Sequence, residues 1–128
     1  MKRTTLSSLL ASSLLGLALS QSAMAAEPKI ARIIVVQTTD AKAYVREVAS
    51  LQGMFKKAGQ QVTIRVFRAV YAGPEAGTIV VAVEVPNWAA LGAINALQSS
   101  NAEISAEMQK IGGLRKIVSD SVYEELTQ

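Results

Sequence analysis

Two residue types are absent from the chain: its 128 residues include no cysteine and no histidine. Without cysteine the protein forms no disulfide, no thiolate metal site and no cysteine nucleophile. Without histidine it lacks the commonest general base, the commonest zinc ligand and the usual haem ligand. No paired-carboxylate signature, phosphate-binding glycine loop or metal-ligand spacing replaces them. We therefore predict no catalytic residue, no metal site and no cofactor.

The first 25 residues have the three parts of a cleavable secretory signal peptide. Basic Lys2 and Arg3 precede an apolar stretch over 9–19, and Ala-Met-Ala at 23–25 is a typical cleavage site. The apolar stretch has about 11 residues, whereas a membrane-spanning helix needs about 20. We expect cleavage after position 25. The mature domain, 26–128, is then periplasmic or secreted and has no stable membrane anchor.

The mature domain has little excess charge of either sign. The full chain has 13 basic and 10 acidic residues, and two of the basic ones belong to the leader. Nucleic acids and anionic membranes bind clustered basic surfaces, which this sequence lacks. Lys56 and Lys57 stand together at the end of a predicted helix, where the helix dipole explains them. We predict no nucleic-acid partner.

The first half of the mature chain has the patterns of three strands and a helix. A β-branched run over 30–38 predicts a strand, and apolar residues at three- and four-residue spacing predict a helix over 40–58, closed by Gly59. Residues 61–71 alternate strictly, and 78–85 are strongly apolar. A turn containing glycine and proline separates these two runs, so we expect a hairpin.

The second half predicts a helical region in two parts and a last strand. Asn87 caps a helix that begins at Trp88, and Ser100 with Glu103 fits a capping box for a second stretch. The mixed pattern over 114–126 predicts a strand at a sheet edge. No linker or repeat divides the mature chain, so we expect a single domain.

The order strand, helix, strand, strand, helix, strand is that of the ferredoxin-like fold. In this α+β fold, a four-stranded antiparallel sheet has its helices on one face and strands one and three at its centre. The sequence agrees, because strands one and three are the continuously apolar ones and the other two have the patterns of edge strands. We therefore predict a βαββαβ ferredoxin-like domain.

Both faces of the central strands are apolar. Alternation places Ile34 and Val36 on one face and Ile33 and Val35 on the other, and strand three repeats this pattern. The helices cover only one face, and monomers rarely expose an apolar patch of that size. We expect a two-fold homodimer through the open sheet face. The alternative is a monomer whose own termini cover that face.

Three segments of the sequence carry a resemblance to a known superfamily. They are the hairpin over 68–77 that leads into 78–85, the helix start at 87–91 and the strand that ends over 122–126. With the strand order, they make the whole mature chain resemble the dimeric α/β-barrel superfamily, which includes antibiotic-biosynthesis monooxygenase-like domains. The resemblance implies a cleft between sheet and helices or loops, where relatives hold small organic molecules. It implies no shared chemistry.

Five residues are candidates for ligand binding. Arg65 and Glu84 lie on the open face of their strands, as polar handles for a ligand or as a structural ion pair, with each other or across the dimer. Phe67, Tyr71 and Trp88 offer an aromatic wall for a planar ligand, or they pack as ordinary core residues. Both interpretations stay open for each residue.

Three further polar residues are predicted to be structural. The spacing of Tyr44 and Tyr123 fits ordinary packing, although each hydroxyl is able to donate a hydrogen bond. Asp120 stands between two serines near the end of the chain. We expect it to be a solvated charge on an edge strand.

Three functions fit these observations. The first is an exported dimer that binds a small apolar or aromatic molecule without changing it, and it is the one we expect. The alternative is a cofactor-independent monooxygenase, in which Arg65, Tyr71 and Trp88 stabilise a substrate carbanion and exclude water. The third is an interaction role in an envelope assembly, with the edge strands as docking sites.

Overall fold

The structure, a computed structural model, describes residues 27–126. The predicted signal peptide, 1–25, lies outside the described residues. The elements of the described part, in chain order, are β1 (Ile30–Gln37), α1 (Ala41–Lys57), β2 (Thr63–Arg68), a 3-10 turn (Gly73–Glu75), β3 (Ile79–Val85), α2 (Trp88–Ser100), α3 (Ala102–Gly113) and β4 (Lys116–Glu124). None of the helices in this part is long and apolar enough to cross a membrane.

The four strands form one antiparallel sheet in the order β2-β3-β1-β4. The two continuously apolar strands, β1 and β3, are therefore central, as predicted from their composition. Edge strand β4 pairs with β1 along its whole length, with a register shift opposite Val35 and Val36. This shift is a β-bulge, which bends an edge strand and strengthens its twist.

Strand β2 is shorter than its alternating pattern predicts. The pattern continues to Tyr71, but the strand ends at Arg68. The next residue, Ala69, closes the hairpin: its N–H donates to the Thr78 carbonyl at 2.9 Å, and its carbonyl accepts from the Gly77 N–H at 2.7 Å. Gly77 has a φ of 89°, which a residue with a Cβ rarely adopts. Tyr71 consequently lies in the loop and not on the strand.

A single asparagine separates α2 from α3. The Asn101 N–H donates to the Leu97 carbonyl at 3.0 Å, and its side chain accepts from the Ile104 N–H at 3.1 Å. The predicted cap at Ser100 is wrong, because the Ser100 hydroxyl instead donates to the Ala96 carbonyl within α2, at 2.9 Å. Asparagine is one of the strongest N-caps, and here one residue ends one helix and begins the next.

The hydrophobic core lies between the helices and one face of the sheet. The strand side chains in it are the alternate ones, such as Ile34 and Val36 of β1 and Val81 and Val83 of β3. The helices contribute these buried side chains: Tyr44, Val48, Leu51, Phe55, Leu91, Ile94, Ile104 and Ile111. All three helices therefore occupy the same face of the sheet.

One carboxylate is buried where α1 packs on α3. Glu107 is 4% exposed, and its Oε1 has no hydrogen-bond partner within residues 27–126. Its Oε2 lies 3.6 Å from Lys110 Nζ, which is also 3.9 Å from Oε2 of Glu47 on α1. Burial, and then the neighbouring Glu47 carboxyl, raises the pKa of Glu107, although Lys110 opposes this shift.

We expect Glu107→Gln to raise the free energy of unfolding at neutral pH by roughly 1 kcal/mol, because it removes a buried negative charge beside the Glu47 carboxyl. The folded state binds the proton of Glu107 more tightly than the unfolded state does. In wild type, Glu107 therefore causes no destabilisation at a pH below the pKa that it has in the unfolded chain. The destabilisation grows as the pH rises through the pKa of Glu107 in the folded protein. Urea unfolding followed by circular dichroism at several pH values measures the difference.

Glu75→Gln, which changes an exposed glutamate in the hairpin loop, is the matched control and should leave the pH dependence unchanged. A Glu107→Gln variant that loses stability equally at acidic and neutral pH would contradict this account of Glu107.

Candidate functional site

The two charged candidates from the sequence lie together on the open face of the sheet. Arg65 on β2 and Glu84 on β3 form an ion pair, with 3.5 Å between Nη2 and Oε2. Their side chains are 59% and 44% exposed, so the pair contributes little to stability. They are thus partners of each other, and their role in ligand binding stays a prediction.

The three aromatic candidates do not meet in one cleft. Phe67 projects from the open face of β2 beside Val80, and it is 52% exposed. Tyr71 is fully exposed in the hairpin loop. Trp88 begins α2 at the far end of β3, a strand about 20 Å long, where its indole N–H donates to Oε2 of Glu124 at 2.6 Å. The geometry therefore provides no common aromatic wall.

The open face is apolar at its centre and polar at its margins. Ile33 and Val35 of β1 lie beside Val80 and Ala82 of β3 on this face. The Arg65–Glu84 pair lies toward the β2 side, and β4 contributes Ser119 and Ser121 on the other side. Of the described helices, none packs on this face. At one end of this face, Ala31, Thr63, Glu84 and Tyr123 help to line an open cavity of about 760 Å³.

A cavity of about 60 Å³ lies on the other side of the sheet, between the strands and the helices. Its inner wall consists of buried apolar side chains: Ile34, Val48, Leu51, Phe55, Val81, Val83, Leu91, Ile94 and Ile111. Four polar residues that also line it, Arg32, Asn95, Gln98 and Arg115, are partly or largely exposed. The cavity therefore has an apolar interior and a polar mouth, as ligand sites commonly do.

Arg32 and Asp120 form a two-pronged ion pair at this mouth. Nε and Nη2 of Arg32 donate to the two carboxylate oxygens at 2.8 and 2.6 Å. The hydrogen bond from Arg32 holds the pKa of Asp120 below its usual range, against the effect of burial, and the charges of Arg32 and Arg115 act in the same direction. Asp120 is an exposed charge on an edge strand, as expected, but it faces the helix side of β4 and is also paired with Arg32, which the sequence did not indicate.

Tyr44 and Arg115 form the second polar contact of the cavity. Tyr44 is completely buried, and its hydroxyl accepts a hydrogen bond from Nη1 of Arg115 at 3.1 Å. Nε of Arg115 is also buried, and within the described residues it has no hydrogen-bond partner. Tyr44 packs in the core as expected, but its hydroxyl additionally positions the guanidinium. A buried tyrosine needs a partner for its hydroxyl, yet the sequence pattern does not tell which residue supplies it.

These contacts define what the cavity is able to bind. Its wall accepts an apolar group, and its mouth offers hydrogen-bond donors with a positive charge. In the part of the chain that the structure describes, no group of three or more metal-binding side chains occurs.

Comparison with known proteins assigns the fold. No protein-family model and no curated protein matches the chain. A solved structure of a conserved protein of unknown function and possible oxidoreductase from Bacteroides thetaiotaomicron is 14% identical, with a TM-score of 0.57, and the match covers 78% of this chain and 100% of that one. A dimeric ferredoxin-like protein from an uncultured marine organism is also 14% identical, with a TM-score of 0.51, and the match covers 80% and 99%.

At this level of identity the likeness shows the fold alone. The chain is an α+β protein with a ferredoxin-like fold, which confirms the prediction from the order of its elements.

We expect Asp120→Asn to lower the free energy of unfolding at neutral pH by about 0.5–1 kcal/mol, because it leaves the Arg32 guanidinium without its charged partner. The pKa of Asp120 is lowered in the folded state. The ion pair therefore stabilises the fold at a pH above the pKa that Asp120 has in the unfolded chain. This stabilisation is lost as the pH falls through the pKa of Asp120 in the folded protein. Urea unfolding of wild type and variant at neutral and strongly acidic pH measures the difference. An equal difference at both pH values would show that the pair does not act through the charge of Asp120.

Proposed function

We propose that the protein is an exported homodimer that binds a small apolar or aromatic molecule in the cavity between its sheet and its helices. The observation that carries this proposal is the cavity itself, with its apolar wall and polar mouth. Sites of this composition hold small molecules in other proteins.

The size of the cavity limits the ligand. An apolar cavity of about 150 Å³ holds a benzene molecule, and this one measures about 60 Å³. Met108 lines it and is partly exposed, and methionine side chains adapt readily to a neighbouring group. The cavity as it stands is therefore too small for a ring, and we propose that a single ring or a short alkyl chain enters it only when Met108 moves aside.

Export rests on the leader. A positively charged start, an apolar stretch too short to span a membrane and a small-x-small site are what secretory signal peptides share. N-terminal sequencing of the protein recovered from the periplasm or medium tests the cleavage after position 25.

Dimerisation rests on the open face of the sheet. Ile33 and Val80 are partly exposed at its centre, and the described helices all lie on the opposite face. One structural neighbour is a dimeric ferredoxin-like protein, which supports a dimer here as well. A two-fold contact buries the same apolar surface of both subunits.

We propose binding rather than turnover because the residues required by the monooxygenase alternative are separated. Tyr71 is exposed in the hairpin loop, and Trp88 lies at the opposite end of β3. Arg65 is on the open face, across the sheet from the cavity. A substrate in the cavity does not meet these three side chains together.

The mature protein should bind benzyl alcohol with a dissociation constant on the order of millimolar, as expected for so small a ligand. A titration followed by two-dimensional ¹H–¹⁵N NMR should shift the amides of residues around the cavity, such as Tyr44 and Ile94. Met108→Trp should abolish the shifts by filling the cavity, whereas Val70→Ser, in the exposed hairpin loop, should retain them. Shifts confined to the open face, or none at all, would exclude the cavity as the ligand site.

Val80→Asp should convert the dimer to a monomer, because it places a charge at the centre of an apolar interface, at a cost of several kcal/mol. Analytical ultracentrifugation measures the change, and far-ultraviolet circular dichroism verifies that the fold is kept. Val70→Asp introduces the same charge in the exposed loop and should leave the dimer intact. A wild-type monomer would favour the alternative in which the termini of the chain cover the face, and a dimeric Val80→Asp would place the interface elsewhere.

A further inference from the structure

The mouth of the cavity has one more positive charge than negative charge. Among the described residues, two arginines line the cavity, Arg32 and Arg115, and the carboxylate of Asp120 lies beside Arg32 at its mouth. Both carboxylate oxygens of Asp120 accept hydrogen bonds from Arg32. The ion pairs found among the described residues do not include Arg115. One guanidinium charge at the mouth is therefore not neutralised by a direct ion pair.

One edge of the Arg115 guanidinium has no hydrogen-bond partner among the described residues. One N–H of Nη1 donates to the Tyr44 hydroxyl, whereas Nε and Nη2, which form the other edge, donate to none of these residues. Nε is buried and has no partner among the described residues, and a buried donor left unpaired costs roughly 1–3 kcal/mol. Two parallel N–H groups on one edge match the two oxygens of a carboxylate.

We infer that the cavity selects a small organic carboxylate, with its apolar body against the inner wall and its carboxylate on the Nε–Nη2 edge of Arg115. This inference rests on the function proposed above and adds the chemical class of the ligand. The ligand supplies the missing negative charge and the missing acceptors in one group.

The surroundings of Arg115 favour a carboxylate over other ligands. The bond to the fully buried Tyr44 fixes the guanidinium plane before a ligand arrives, which reduces the entropic cost of binding. A neutral ligand leaves the charge of Arg115 unpaired. An inorganic anion leaves the apolar wall unfilled. A molecule with both an apolar body and one carboxylate satisfies both parts of the cavity.

A matched pair of probes tests the inference: benzoate and benzyl alcohol, which share a ring and differ in the charged group. The mature wild-type protein should bind benzoate at least about tenfold more tightly, the difference expected of a charge-assisted hydrogen bond. NMR titrations at neutral pH and constant ionic strength give both dissociation constants.

Three variants test whether Arg115 causes the preference for benzoate over benzyl alcohol. Arg115→Met should weaken benzoate binding about tenfold and affect benzyl alcohol much less. Arg115→Lys keeps the charge but loses the paired donors, so its preference should be intermediate. Lys116→Met removes the same charge from the adjacent, exposed residue and should retain the full preference.

If the Arg115 variants do not fold, an NMR signal of the wild-type protein still tests the inference. The Nε–H resonance of Arg115 should shift in wild type when benzoate is added and should stay in place with benzyl alcohol.

The outcomes separate this inference from the proposed function. If wild type binds both probes equally, or if its Arg115 Nε–H does not respond to benzoate, the carboxylate site is wrong and the apolar cavity stands as the ligand site. If Lys116→Met loses the preference as well, the overall charge of the protein causes it, and the inference fails. If neither probe binds, the proposed function fails and the inference fails with it.

Discussion

The structure depends on one constraint. The central strands of the sheet are apolar on both faces, but the described helices cover only one face. Covering the first face builds the core, in which Val36 and Tyr44 are fully buried. The second face keeps Ile33 and Val80 at its centre, and the described helices do not reach it. Hydrophobic burial favours the removal of this surface from water. The two faces therefore serve separate purposes, since the cavity belongs to the covered face and the proposed interface to the open one.

The polar mouth of the cavity arises where two polar contacts sit beside the covered core. Arg32 lies on the helix-facing side of β1, where a hydrophobic residue would otherwise continue the core. Its pair with Asp120 satisfies the charge at that position and joins the edge strand β4 to the central strand β1. Arg115, just before β4, reaches the hydroxyl of Tyr44 on α1. Strand β4 therefore supplies the carboxylate that neutralises Arg32. The residue just before it, Arg115, is placed so that it reaches Tyr44.

Most of the fold was predictable from the sequence, and most of the site was not. Periodicity identified the strands and helices, because alternate or three-to-four spacing directly reflects which side chains are buried. It failed at Tyr71, because the turn at Gly77 ends the pairing before the alternation ends, and at Ser100, because Asn101 is the stronger cap. The contacts of Asp120 and Arg115 join residues that are 88 and 71 positions away in the chain. Such pairs depend on strand register and helix packing, which one sequence does not specify residue by residue.

The distribution of titratable groups supports the binding function proposed above more than the monooxygenase alternative. Acid–base catalysis works best with a group whose pKa lies near the working pH. In a chain without histidine, a carboxyl with a raised pKa is the natural substitute, and Glu107 has that property. Glu107, however, faces Glu47 and Lys110 between α1 and α3 and does not line the cavity. Asp120, which does lie at the mouth, has its pKa shifted in the opposite direction and keeps its charge to hold Arg32. The mouth of the cavity thus contains charged groups, while the carboxyl with the raised pKa lies away from it.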